Sequence, residues 1–318
     1  MSINLQTLKD VRGIRGVLYR SGELGRRTGF AARGAYNFAR LHVGRSNGTR
    51  PSVTAVVVGR NDDYMSDFRA RLHATIEWNT RYLIDEIIFV EWNPPADREL
   101  LAHDLTRRFP SLRAYVVPRE MHEQICENAN VKLLEYHAKN VGIRRARTPW
   151  IMTTNADAAL GLDMVDKILT TTLNPEVVWT AQRADVPWRE DVQRRIDLLT
   201  SIRYRRLSPY SQLGTGEFTF ASRDLWHRAR GYDETMVRHR IGCDMRGTAQ
   251  MLALGARIER AGVVLHLQHP TSCSENVQPH HGEWASVEGV PYENRDDWGL
   301  GAARETPLAE RVWQLDAD

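Results

Sequence analysis

Ser52-Val-Thr-Ala-Val-Val-Val-Gly59, followed at once by Arg60-Asn61-Asp62, is the stretch on which the fold turns. A continuous apolar run rich in β-branched residues, ending in a polar turn, reads as a strand buried on both faces, the kind found in helix-covered parallel sheets. The chain downstream keeps the matching rhythm. A helical stretch at 63–79 leads to the strand Glu86-Ile-Ile-Phe-Val-Glu91, which stops at Trp92-Asn-Pro-Pro95. A helix over 97–109 precedes the strand Arg113-Ala-Tyr-Val-Val117. A long helix over 129–146 then feeds the strand Trp150-Ile-Met-Thr153. Strands alternating with helices predict an α/β fold, a mostly parallel sheet with right-handed crossovers. Such sheets bind ligands beyond the carboxyl ends of their strands. The polar clusters fall there: Arg60-Asn61-Asp62, Glu91 and Asn155-Ala-Asp157.

Composition frames that core. Of 318 residues, 42% are apolar and 26% charged, the balance of a globular chain that needs no disulfide staples. Cys126, Cys243 and Cys273 form no C-x-x-C pair and leave one over, which favours a reducing compartment over a disulfide framework or structural zinc. No apolar stretch approaches the ~20 residues of a membrane span, and the N-terminus lacks the apolar run of a secretory signal. The expectation is a soluble, cytoplasmic protein.

Its charge is uneven. Residues 1–50 carry ten Lys and Arg against Asp10 and Glu23, a charge of +8; with the whole chain at +3, residues 51–318 carry −5. The basic balance belongs to an N-terminal arm, whereas a nucleic-acid-binding protein would carry it on the folded domain. Arg interleaved with Leu, Val, Phe and Tyr suits peripheral contact with an anionic membrane on its inner face. The same side chains suit packing on the domain or on a second copy of the chain as a homo-oligomer, and the arm's glycines shorten any helix.

The second half is less regular. Residues 177–180 read as a strand and 190–205 as an Arg-rich helix. Gly214-Thr-Gly-Glu-Phe-Thr-Phe-Ala221 reads as a strand, 223–229 and 244–254 as helices, and Gly262-Val-Val-Leu-His266 as a last strand before a tail rich in His and Trp.

No G-x-G-x-x-G and no G-x-x-x-x-G-K-[ST] follows the first strand, so neither a dinucleotide fingerprint nor a P-loop is present. Arg60, Asn61 and Asp62 offer side chains to a nucleoside base and ribose, or Asn61 or Asp62 simply caps the next helix. In Ile151-Met-Thr-Thr-Asn155-Ala-Asp157 two oxygen-bearing side chains stand at i and i+2. The strand period puts them on one side, where they can meet Mg²⁺ or Mn²⁺ and its phosphates; an Asx turn is the plainer alternative. In Ala138-Lys139-Asn140-Val-Gly142-Ile-Arg144-Arg145-Ala146, Lys139 can reach a phosphate or ribose and Gly142 permits close helix approach, against the plainer reading of a solvated basic face.

This order of motifs resembles the GT-A nucleotide-sugar glycosyltransferases, and Gly216-Glu-Phe-Thr-Phe-Ala-Ser-Arg-Asp-Leu-Trp226 with Gly231-Tyr-Asp-Glu234 strengthens the likeness. The resemblance spans 52–269 and implies a single α/β GT-A domain over 51–318 behind the arm. Its donor half would lie at about 51–160, its acceptor half at 161–270 and its tail at 271–318. It implies transfer of a sugar from a UDP- or GDP-sugar to a glycan or lipid-linked hydroxyl, as in surface polysaccharide or glycolipid synthesis, with Mn²⁺ or Mg²⁺ as cofactor. Asn155-Ala-Asp157 takes the D-x-D place, Asn replacing the first Asp, with Asp157 the expected metal ligand. The donor would meet Arg60, Asn61, Asp62, Glu91, Lys139, Asn140 and Asn155. A late His completes the metal shell in many such enzymes, and His266 and His269 both stand there, one of them sufficing. Cys243-Asp244 falls where the family carries its acceptor-side carboxylate, so Asp244 is the candidate catalytic group. It would be a base in an inverting enzyme or an oxocarbenium stabiliser in a retaining one, against the plainer role of helix N-cap. His280-His281 and Trp298 could close over the donor phosphates and sugar. A sugar nucleotidyltransferase, or a non-catalytic carbohydrate- or partner-binding scaffold, are the rival readings.

Overall fold

The computed structural model describes residues 50–62, 64–81, 83–188, 203–204, 216–238, 241–269 and 289–317. The arm apart from Arg50, most of the helix expected at 190–205, and His280-His281 lie outside the described residues.

β1 (Val53–Gly59), with all seven residues buried, sits in the middle of the sheet. β2 (Glu86–Trp92) flanks it on one side and β4 (Trp150–Asn155) on the other, both parallel. β3 (Leu112–Val117) lies outside β2, also parallel. The chain thus fills one side of β1 and then crosses to the other, leaving a switch point between β1 and β4. Register puts Gly59 beside Glu91 and Val58 beside Asn155, so the polar ends converge at one carboxyl edge.

Pleating sends alternate β1 side chains into two cores. Val53, Ala55 and Val57 meet Phe68, Leu72 and Ile76 of α1 (Phe68–Thr80) and Leu101 and Leu105 of α2 (Leu101–Arg108). Val56 and Val58 meet Ala138, Val141 and Ile143 of α4 (Glu135–Arg145) on the other face. A short helix, α3 (Arg119–Ile125), precedes α4. The single helix expected over 129–146 is therefore too long. Asn128 turns the chain by accepting from Asn130 N at 3.0 Å, and Val131, Leu133 and Leu134 enter the core in non-helical backbone before α4 begins. Gly142 does permit close approach: a Cβ there would stand 2.4 Å from Val56 Cγ1. Gly142→Ala should therefore lower stability by about 1–3 kcal/mol through overpacking. A thermal melt of the variant checks this; an unchanged midpoint would mean α4 is free to shift.

Beyond β4 the sheet continues with β8 (Phe218–Ser222), antiparallel to β4, and β6 (Val177–Pro187), antiparallel to β8. β9 (Arg257–Gln268) runs parallel to β6, and β5 (Ala158–Leu160) closes that edge antiparallel to β9. β6 and β9 exceed their expected lengths because they pair along their whole course. β7 (Arg203–Tyr204) pairs with β6, so the helix expected at 190–205 ends in strand. α5 (Leu162–Thr170), α6 (Arg223–Ala229) and α7 (Cys243–Ala253) complete the helices among the described residues. The tail makes a hairpin, β10 (Arg304–Ala309) and β11 (Val312–Asp316), whose second strand extends the sheet parallel to β3.

Candidate functional site

Asp157 lies in the turn between β4 and β5, and that turn is fixed from three sides. Thr75 Oγ1 of α1 donates to Ala156 O at 2.6 Å, Asn79 Nδ2 donates to Ala158 O at 3.0 Å, and Leu267 N donates to Asp157 O at 2.8 Å. His266 stands in β9 opposite Ala158 of β5 on one side and Asp185 of β6 on the other. Buried Arg71 holds the end of β9 by donating to Leu267 O at 3.1 Å and Gln268 O at 3.0 Å, which delivers His269 to the same place.

The result is a compact cluster. Asp157 Oδ2 lies 2.8 Å from His269 Nε2 and 3.6 Å from His266 Nε2, and the two Nε2 atoms are 3.2 Å apart. Burial works to raise the Asp157 carboxyl, but the two rings outweigh it and hold it well below the usual carboxylate range. Its second oxygen, Oδ1, is buried with no hydrogen-bond partner. One carboxylate and two imidazole nitrogens within reach of one point, with a carboxylate oxygen left over, fit a divalent cation. One histidine sufficed on the sequence; the fold brings both to Asp157.

Asn155 does not join them. Its Oδ1 accepts from Lys139 Nζ at 2.9 Å, so the side chains at i and i+2 diverge as the strand gives way to a turn. Lys139 is fully buried, and its other donors go to Glu135 Oε1 at 2.8 Å and Gly216 O at 2.9 Å. Burial works to lower its pKa, yet the adjacent Glu135 carboxylate keeps it above the ordinary lysine value. The expectation of a donor-phosphate lysine, or of a solvated basic face, is corrected to that of a buried strut between α4, the Asn155 turn and the entry to β8. Asn140 is corrected likewise. Its Nδ2 donates to Tyr232 O at 2.8 Å and its Oδ1 accepts from Tyr232 N at 2.7 Å, so it anchors the Gly231-Tyr-Asp-Glu234 turn.

That turn in turn carries α7. Asp233 is buried and accepts from Arg246 Nη2 at 2.6 Å, while Tyr232 Oη bonds Thr153 Oγ1 at 2.8 Å. Asp244 sits inside the first turn of α7, whose N-cap is Gly242, so the N-cap role is not its own. Its Oδ2 faces Gly216, where a built Cβ would stand 3.6 Å away. Its pKa is pushed up to about 6, mainly by burial, against the backbone N–H of Met245; Glu217 and Glu135 add to the rise and Lys139 opposes it. A carboxylate that releases its proton near neutrality can serve as a general base.

In the turn after β1, Arg60 pairs with Asp62 (Nε–Oδ1 2.9 Å) and lies 4.1 Å over the Tyr64 ring, while Asn61 Nδ2 donates to Glu99 O at 2.8 Å. Glu91 is turned inward: its oxygens accept from Leu101 N at 3.1 Å and Ala102 N at 2.8 Å, capping α2. Burial raises its pKa to about 7, against those backbone N–H groups. The expected reading of a base by Glu91 is corrected to a helix anchor. A cavity of about 960 Å³ opens beyond β2 and β3, with Asp62, Asn93, Arg98, His122 and Lys132 on its walls.

Trp298 is also corrected. It is buried, with Arg144 5.3 Å over its ring and His227 edge-on, and so pins the tail to the domain. Asp185 and Arg183, which contact His266, and Glu217, which pairs with Arg183, were not singled out from the sequence; the Arg183-x-Asp185 spacing on one strand face is the only local signal they leave.

No protein-family model matches the chain, and no curated protein matches its sequence. Among the solved structures similar to it are the following two. One is the mannosyltransferase PcManGT from Pyrobaculum calidifontis, in complex with GDP-Man and Mn²⁺, at 14% identity over 79% of this chain and 67% of that one, with a TM-score of 0.43. The other is GalNAc-T7 with UDP, GalNAc and Mn²⁺, at 10% identity over 70% of this chain, with a TM-score of 0.48; this chain spans 45% of that protein's length. The likeness is one of architecture, a large mixed sheet flanked by helices.

Proposed function

We propose that this chain is a metal-dependent glycosyltransferase that moves a sugar from a nucleoside diphosphate sugar to a hydroxyl acceptor. One observation carries this: Asp157, His266 and His269 converge beyond the carboxyl edge of the sheet, beside the β1–β4 switch point. A divalent cation held there would neutralise the charge of a diphosphate leaving group. Two imidazoles and one carboxylate suit Mn²⁺ better than Mg²⁺, which prefers oxygen ligands throughout.

The chain's own residues supply the rest. The 60–62 turn and the adjoining cavity offer room and polar side chains to the nucleoside. Lys139 and Asn155 hold the floor between the cation and the acceptor side. Asp244 accepts the acceptor's hydroxyl proton while that oxygen attacks the anomeric carbon and the bond to the diphosphate breaks. The +8 arm supports work beside an anionic lipid surface and a lipid-linked acceptor. Calorimetry with UDP and GDP, with and without Mn²⁺, tests the proposal. Mn²⁺-dependent binding followed by slow donor hydrolysis supports it. Absence of nucleotide binding would leave a non-catalytic scaffold.

A further inference from the structure

The cation cluster has an outer support that the transfer chemistry above leaves unused. His266 points Nε2 toward Asp157 and His269, so its orientation depends on what holds Nδ1. Asp185 Oδ1 lies 3.0 Å from that nitrogen. Asp185 is also the register partner of His266 across two long parallel strands, so the pairing cannot drift without slipping the whole β6–β9 ladder.

Arg183, two residues earlier and on the same face, donates from Nε to Asp185 Oδ1 at 2.8 Å and from Nη1 to Glu217 Oε1 at 2.5 Å. Its Nη2 also lies 2.8 Å from His266 Nδ1. The last contact competes with the carboxylate, because one ring nitrogen cannot donate to Asp185 and accept from Arg183 at once. A ring that offers Nε2 to a cation is unprotonated there, so its hydrogen sits on Nδ1 and Asp185 is its partner. The guanidinium is then left to bridge the two carboxylates.

We infer that Asp185 is a positioning residue for the cation site, fixing His266 in the tautomer and orientation that present Nε2. Arg183 is its brace, tying Asp185 to Glu217 at the entry to β8. The brace spans from the cation side to the neighbourhood of Asp244, whose carboxyl feels Glu217. This assignment rests on the metal reading, and its test separates the two.

Mn²⁺ binding to the full chain is followed by electron paramagnetic resonance of the free aqueous ion. Asp185→Asn should weaken Mn²⁺ binding about 10–100-fold, the usual effect of removing such an outer partner. The amide keeps the volume but can turn its NH₂ toward Nδ1, which selects the tautomer unable to ligate. Nitrogen-15 NMR of the metal-free protein should show His266 protonated at Nδ1 in the wild type and shifted toward Nε2 in the variant, a change that a purely structural role would not produce. Arg183→Gln should weaken Mn²⁺ binding to a smaller degree, and it carries the test if Asp185→Asn does not fold. Wild-type binding with an unchanged Asp185→Asn or, in that case, an unchanged Arg183→Gln overturns the positioning role alone. A wild type that binds no Mn²⁺ overturns the metal reading and this role with it.

Discussion

Asp157→Ala should abolish Mn²⁺-dependent nucleotide binding and lower turnover by about 10³-fold or more, while the melting transition survives. The size follows from what is removed. Asp157 is the one anionic member of the cluster, and its Oδ1 is buried with no other partner. Two neutral imidazoles 3.2 Å apart cannot hold a divalent cation against water with comparable strength. Loss of the cation's charge from a departing diphosphate costs several kcal/mol, each 1.4 of which is about tenfold in rate. The fold should persist because the turn is held by Thr75, Asn79 and Leu267 through backbone atoms that alanine retains. Initial rates with saturating donor, alongside a circular-dichroism melt, check both halves. Full wild-type activity under saturating chelator would remove the cation from the mechanism.

Asp244→Asn should leave donor affinity nearly unchanged and reduce kcat by about 10²–10⁴. Asn is close in size and its side-chain oxygen can still accept from the Met245 N–H, so the change removes a proton acceptor and little else. The pH profile gives the sharper readout. Burial and the neighbouring carboxylates place the folded pKa at about 6, and a base works only when deprotonated. Activity should therefore rise as pH climbs through about 6 and flatten above it, and this limb should vanish in the variant. A variant that loses its cooperative melt, or keeps its full rate, would make Asp244 structural.

The expected donor contacts that the structure instead ties to protein groups share one feature. Lys139, Asn140 and Glu91 all match the sequence pattern of a nucleotide-sugar site, and all three are buried and committed to protein partners. A polar residue at a strand end or on a helix face looks the same in sequence whether it serves a ligand or a neighbouring backbone group. What separates the cases is where the other elements lie. Lys139 points into the domain because Glu135, one turn earlier, and Gly216, far along the chain, close around it.

Local patterning alone determined the parallel core. The β1 run is too apolar to face water on either side, and the alternation of strands and helices through residue 155 leaves the chain few topologies. It also determined that polar side chains gather at one edge, while the resemblance to the GT-A glycosyltransferases made Asp157 and Asp244 the carboxylates to test. Tertiary structure decided the rest. Strand register brought both His266 and His269 to Asp157, turned Asn155 away toward Lys139, set Asp185 beside His266, and added the C-terminal hairpin to the β3 edge. Period and propensity act over a few residues, whereas β6, β9 and β11 pair with strands distant in the chain, and only the packed sheet selects which register buries most apolar surface.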